Sequence, residues 1–116
     1  DRIILDERVL FDFDRARVRH AGRALVREVV DMWKAHPGWV RITIEGHTDV
    51  RGTDEYNVWL GEERARRVRD LMLRFGAPDA IDVVGVGRAR PRDPGHSEAA
   101  HSRNRRVEFV IERRLP

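Results

Sequence analysis

The sequence switches repeatedly between two hydrophobic periods, and this switching constrains the fold more than any other feature. Residues 40–46 and 106–111 alternate apolar and polar side chains, and residues 81–86 and 9–13 are short and rich in strand-forming residues. Two longer segments, beginning near Ala16 and Thr53, repeat apolar residues every three or four positions, which is typical of amphipathic helices. The predicted order is therefore β-α-β-α-β-β. It indicates an α/β sandwich, in which two helices pack on one face of a mixed four-stranded sheet.

Breakers and caps set the expected boundaries of the two helices. The first helix should end near His36, because Pro37-Gly38 follows it. The second should begin at a cap formed by Thr53 or Asp54 and end near Phe75. Residues 88–103 form a long connection, a kind of segment that is often functional. The expected buried stripe of the first helix consists of Val18, Ala21, Leu25, Val29 and Met32.

Length and charge narrow the possible functions. The 116 residues suit one domain, 1–116, with a core at about 9–113. The sequence contains no run of roughly 20 apolar residues, so membrane attachment would need a segment outside this chain. The 23 basic and 20 acidic residues interleave, so we expect no nucleic-acid partner. The sequence has no cysteine and its five histidines are scattered, so we expect neither a metal nor a cofactor.

The second helix carries an arginine in its apolar stripe. At about 100° per residue, Arg64 lies roughly 40° from Leu60, between Leu71 and Val68. A guanidinium is costly to bury without a partner. Arg64 therefore either extends past the core to solvent or a nearby acid, or borders a polar pocket and holds an anion.

A possible counter-charge follows the second strand. Asp49 comes after that strand and a few residues before the helix, so we expect its carboxylate within about 10 Å of Arg64. Asp49 would either stabilise the turn through its own backbone or face the same pocket. A pocket with one fixed cation and one fixed anion suits a zwitterion, whose carboxylate would pair with Arg64 and whose ammonium would pair with Asp49.

These residues belong to a pattern that resembles the OmpA-like peptidoglycan-binding domain. The resemblance covers roughly residues 9–113 and rests on several separate motifs in the right order. The first motif region contains Gly46-His47-Thr48-Asp49, Gly52, Tyr56-Asn57, Leu60, Arg64-Ala65 and Val68. The others are Phe11-Asp12-Phe13-Asp14, Gly85-Val86-Gly87-Arg88-Ala89-Arg90-Pro91 and Asn104-Arg105-Arg106-Val107-Glu108.

The resemblance implies non-covalent binding of peptidoglycan through the diaminopimelate of its peptide stem. It assigns the ligand amine to Asp49 and the ligand carboxylate to Arg64. It implies that Asn57 and either Arg105 or Arg106 also line the pocket. Thr48 and the backbone of residues 12–15 are weaker candidates.

The resemblance also implies where the domain works. It places the domain in the periplasm, in a parent protein held at the outer membrane or cell wall, as in peptidoglycan-associated lipoproteins. It implies a binding module and not an enzyme. The sequence does not indicate an oligomeric state.

Two alternatives and one departure from the family pattern remain. The chain could be a wall hydrolase that uses Asp49 with His47 or Asp12, or a structural or dimerising domain of the kind found in motility stators. The departure is Gly61, because the family usually has serine there. Glycine costs about 1 kcal/mol relative to alanine inside a helix.

Overall fold

A computed structural model describes residues 1–11 and 18–115. Within these residues the chain forms four strands and four helices. In chain order they are β1 (Arg2–Asp6), α1 (Glu7–Leu10), α2 (His20–Ala35), β2 (Trp39–His47), α3 (Asp54–Arg74), β3 (Ile81–Gly87), α4 (Glu98–Asn104) and β4 (Arg106–Arg113).

The strands form one mixed sheet in the order β1-β4-β2-β3. Strands β2 and β3 are parallel, whereas β4 runs antiparallel to both β1 and β2. Helices α2 and α3 contribute to the same buried core as one face of the sheet, so the α/β sandwich predicted from the sequence is confirmed. The core side of the sheet is lined by alternate residues, among them Ile42, Ile44, Val107 and Phe109, which are fully or almost fully buried.

The first strand is not where the sequence placed it. The strand expected at 9–13 begins inside α1, and Phe11 makes an isolated bridge to Val18. The rest of that segment, and the expected helix start at Ala16, lie outside the described residues. The first strand is β1, which pairs with β4 at the edge of the sheet.

Helix α2 buries a stripe one position away from the predicted one. Its buried residues are Gly22, Val26, Val29, Val30 and Trp33. Ala21 and Met32 are exposed instead. Trp33 fixes this rotation, because its indole N–H donates to the carbonyl oxygen of Trp39 over 2.9 Å.

Helix α3 agrees with the sequence at both ends. Thr53 is the N-cap and its hydroxyl accepts a hydrogen bond from the backbone N–H of Tyr56, as a capping threonine does. The helix packs very closely on β2 at Gly61. A Cβ at Gly61 would lie 2.4 Å from the carbonyl oxygen of Gly46, so the serine usual in the family does not fit this approach.

The long connection between β3 and β4 contains an element that the sequence did not reveal. Helix α4 begins at the N-cap Ser97, whose hydroxyl accepts from the N–H of Ala100. Arg105 follows α4 directly, and Arg106 is the first residue of β4. Across residues 1–11 and 18–115, every helix falls short of the length and hydropathy needed to cross a bilayer.

Candidate functional site

A cavity of about 810 Å³ lies where β2 ends and α3 begins. The chain brings charged residues to it from four separate places. Glu7 comes from α1, Asp49 follows β2, Arg64 extends from α3, and Arg105 lies between α4 and β4. The cavity therefore forms at the point where the ends of the central strands meet the first turns of α3.

The cavity gathers five of the six site residues predicted from the sequence. They are Thr48, Asp49, Asn57, Arg64 and Arg105. Arg106 does not line it. The side chain of Arg106 lies on the other face of the sheet, where its guanidinium contacts Glu108 and the carbonyl oxygens of Asn104 and Arg90. The family motif left Arg105 and Arg106 as alternatives, and the structure brings Arg105 to the cavity.

Asp49 is a buried anion of the cavity. Its Oδ1 accepts hydrogen bonds from the backbone N–H and Nε of Arg51, at 2.9 and 3.1 Å. Its Oδ2 accepts from Arg51 Nη2 at 2.7 Å and from Arg105 Nη1 at 2.9 Å. Burial by itself would raise the pKa of Asp49, but the hydrogen bonds from Arg51 and Arg105 outweigh it and hold the pKa well below its usual value. Asp49 is therefore ionised across the physiological pH range.

Arg64 and Arg105 are two cations of the cavity, and both pair with Glu7. Glu7 forms ion pairs with Arg64 and, through Oε2 at 3.0 Å, with Arg105 Nε. The guanidinium of Arg64 also lies over the ring of Phe11, 5.7 Å from its centroid. The sequence left open whether Arg64 pairs with a nearby acid or holds a ligand anion, and whether Asp49 stabilises its turn or faces the pocket. In the structure Arg64 pairs with Glu7, and Asp49 pairs with Arg51 and Arg105 while it lines the cavity.

Two predicted residues shape the cavity wall by bonding to the backbone. Asn57 is buried, and its Nδ2 donates to the carbonyl oxygen of Arg51 over 2.9 Å. Thr48 is also buried. Its N–H donates to the carbonyl oxygen of Gly87, and its hydroxyl donates to that of Asp49. Both residues therefore hold the turn that positions Asp49 and Arg51.

Sequence reasoning missed five charged residues that line the cavity, namely Glu7, Arg8, Arg19, Arg51 and Glu98. Glu7 lies before residues 9–13, where the sequence predicts the first strand. Arg51 could have been found, because an aspartate commonly accepts a hydrogen bond from the backbone two residues later. Glu98 follows Ser97 at the start of α4, and its Oε1 accepts from Arg105 Nη2 over 2.9 Å.

The comparison with known proteins decides the family. The model of the OmpA family matches residues 10–105, which is most of the chain. The chain belongs to the OmpA family. Among curated proteins, the peptidoglycan-associated lipoprotein of Legionella pneumophila is 43% identical to it over 104 residues, or 89% of this chain. The chain spans 58% of the length of that relative.

Solved structures of OmpA-like domains share this fold. The peptidoglycan-associated lipoprotein from Burkholderia pseudomallei superposes with a TM-score of 0.79 at 39% identity, covering 90% of this chain and 88% of that one. The cell wall anchor of the T6SS from Pseudomonas aeruginosa superposes with a TM-score of 0.83 at 26% identity, covering 97% and 80%.

The face of this OmpA-family sheet opposite its apolar core carries a second charged cluster. His47 Nε2 lies 2.9 Å from Glu45 Oε1 and 3.7 Å from Glu108 Oε2. Arg2 Nη1 contacts both carboxylates, at 2.9 and 3.0 Å, and Arg106 Nε contacts Glu108 Oε2 at 2.5 Å. Burial lowers the pKa of His47, and this outweighs the opposing effect of Glu45, so His47 is neutral near pH 7.

This cluster is a structural ion network. One nitrogen and two carboxylates lie within 4.8 Å of one another, which is a spacing a metal ion could use. Arg2 and Arg106 already supply the positive charge that would balance the two carboxylates, so the arrangement is complete without an ion. The contacts of His47 are with Glu45 and Glu108 and not with Asp49, so the proposed hydrolase pair of Asp49 and His47 does not meet. Asp12, the other proposed partner, lies outside the described residues.

Proposed function

We propose that this OmpA-family domain binds peptidoglycan non-covalently and anchors its parent protein to the cell wall. The ligand group is the diaminopimelate of the peptide stem, which carries an ammonium and a carboxylate at one end. The observation that supports this most directly is that one cavity contains fixed charges of both signs. Asp49 and Arg64 both line it, and Arg105 pairs with Asp49 and with Glu7.

The internal ion pairs indicate how a ligand would enter. In the free domain, Asp49 pairs with Arg51 and Arg105, and Glu7 pairs with Arg64 and Arg105. A ligand ammonium replaces Arg51, whose side chain is 57% exposed and can turn to solvent. A ligand carboxylate takes the place of Glu7 on the arginines, with the bidentate geometry that guanidinium groups favour.

Binding at one site should be weak, because each new ion pair replaces an existing one. A charged hydrogen bond contributes about 1.5–3 kcal/mol, and two or three of them correspond to dissociation constants from micromolar to millimolar. Anchoring still succeeds, since the wall is a polymer that engages many copies of the parent protein together. Peptidoglycan lies in the periplasm of bacteria with two membranes, so the domain acts there.

A pull-down with purified peptidoglycan tests this proposal. Asp49→Ala and Arg64→Ala should each abolish sedimentation with the wall while the domain stays folded, which circular dichroism checks. Asp70→Ala and Arg66→Ala are the controls. They remove one acid and one base from the exposed face of α3, the helix that carries Arg64, and should bind peptidoglycan normally. Undiminished binding by both cavity variants would remove the assignment.

The electrostatics of the cavity favour a binding module over a hydrolase. A general acid needs a carboxyl group whose pKa is raised. The pKa values of Asp49 and Glu98 are both lowered by their arginine partners, although burial acts the other way on each. Incubation with peptidoglycan should therefore release no soluble fragments. Native mass spectrometry tests the remaining alternative, a domain whose main role is dimerisation.

A further inference from the structure

Two large aromatic side chains are exposed at the start of α3. Tyr56 and Trp59 have relative exposures of 55% and 56%. Their ring centroids are 5.8 Å apart, with an angle of 38° between the ring planes. The other two tryptophans, Trp33 and Trp39, are buried. A pair of rings left in water is unusual for a packing role, since aromatic side chains gain most by being covered.

The aromatic pair adjoins the charged cavity. Tyr56 lines the cavity, as do Asn57 and Leu60 of the same helical turn. Trp59 lies three positions after Tyr56, so the two side chains are neighbours on the helix surface. The capping bond from the backbone N–H of Tyr56 to Thr53 fixes the first turn that carries them. The rings therefore extend the cavity rim as one apolar surface outside the charged interior.

We propose that Tyr56 and Trp59 form a stacking surface for a sugar ring of the glycan strand whose stem peptide enters the cavity. This inference rests on the proposed function. The stem peptide is covalently joined to a sugar, and the diaminopimelate is a few residues from the junction. At no more than about 3.6 Å per residue, that sugar lies on the order of 10 Å from the group held in the cavity.

The chemistry of the two partners is complementary. A pyranose ring presents an apolar face of C–H bonds and an edge of hydroxyl groups. The C–H face packs on an aromatic ring, while the phenol O–H of Tyr56 and the indole N–H of Trp59 remain available to the hydroxyl groups. The two adjacent rings present one continuous apolar surface to the sugar. The charged cavity thus selects the peptide, and the aromatic surface adds affinity for the glycan.

The test compares two ligands, the diaminopimelate-containing stem peptide alone and the same peptide attached to its disaccharide. The wild type should bind the disaccharide ligand roughly 2- to 10-fold more tightly than the peptide. Trp59→Ala should bind both ligands with the affinity that the wild type has for the peptide alone. Trp59→Phe should recover most of the extra affinity for the disaccharide ligand. Leu73→Ala is the control, because Leu73 is also exposed on α3 but lies about 21 Å further along the helix.

Fluorescence provides a second readout. Since Trp59 is the exposed tryptophan, acrylamide should quench mainly its emission. The disaccharide ligand should protect it, and the peptide alone should not. The proposal is overturned if the sugar adds no affinity, if Trp59→Ala weakens both ligands equally, or if Trp59→Ala instead abolishes a dimer in native mass spectrometry. If the wild type binds neither ligand, the proposed function fails, and this inference fails with it.

Discussion

Arg105 Nη1 donates a hydrogen bond to Asp49 Oδ2 over 2.9 Å, although the two residues are 56 positions apart in the chain. Arg105 also contacts Glu7, which in turn contacts Arg64. Asp49 and Arg64 are therefore joined by one continuous chain of ion pairs through Arg105 and Glu7. A substitution at any one of these four residues should therefore change the affinity of the other three for a ligand.

The adjacent arginines Arg105 and Arg106 should respond differently to substitution. Arg105→Ala should weaken binding of the stem peptide by roughly tenfold, because a charged contact in the cavity is lost. Arg106→Ala should lower the free energy of unfolding by about 3–5 kcal/mol, because Glu108 stays buried without its closest cation. Urea unfolding and peptide titration measure the two effects. The assignment is wrong if the effects are exchanged between the two variants.

Glu7→Gln should tighten the binding of the stem peptide. The glutamine no longer competes with the ligand carboxylate for Arg64 and Arg105, and we expect an increase in affinity of roughly 3- to 10-fold. Isothermal titration with the stem peptide measures it, and Glu28→Gln, an exposed acid on α2, is the control. Equal or weaker binding by Glu7→Gln would show that Glu7 assists the ligand and does not compete with it.

Gly61→Ala should destabilise the fold, although alanine is the better helix former. The added methyl group would lie 2.4 Å from the carbonyl oxygen of Gly46, so β2 and α3 must move apart. Such overpacking typically costs about 1–3 kcal/mol. Thermal or urea unfolding measures the change, and Gly38→Ala, where a Cβ meets nothing within 4 Å, is the matched control. A more stable Gly61→Ala protein would contradict the close contact.

The stability of the domain should fall as the pH decreases from about 7 to 5.5. The folded state lowers the pKa of His47 below 6.5, chiefly through burial, so in this range the unfolded chain binds more protons than the folded one. The contribution of neutral His47 is complete above pH 6.5 and is lost toward its lower, folded pKa. The pKa values of Glu45 and Glu108 are lowered as well, by hydrogen bonds that outweigh burial, so both stay ionised here. Denaturant unfolding should show a flatter pH dependence for His47→Gln than for the wild type.

The sequence was sufficient for the layered architecture because the local signals of β2, α3 and β4 agree with their burial. The sequence did not predict which residues of α2 are buried, because two apolar stripes are possible there. Helix α2 carries apolar doublets such as Leu25-Val26, Val29-Val30 and Met32-Trp33, so its period fits two adjacent stripes equally well. The bond from the Trp33 indole to Trp39, a tertiary contact, selects one of them. Strand β1 pairs only at the sheet edge and runs directly into α1, so that Asp6 is both its last residue and the N-cap of that helix.

For the candidate site, helical phase and strand order were enough to bring Asp49 and Arg64 to one cavity. Strand alternation could also have predicted which of Arg105 and Arg106 faces the cavity. Arg105 lies two and four positions before the core residues Val107 and Phe109, so it is on their side of the sheet, whereas Arg106 is on the other side. The internal partner of Arg64 could not be foreseen. Glu7 reaches the cavity through the path of the N-terminal elements, which no local pattern encodes.

The position of the cavity relative to the sheet has a mechanical consequence. Asp49 leaves the end of β2, and Arg105 enters the start of β4, and these antiparallel strands are the two central ones of the sheet. Because His47 pairs with Arg106, both attachment points lie at the same end of the β2–β4 ladder. A force on the ligand therefore pulls the two central strands in the same direction and does not draw one past the other, so the load is shared between them.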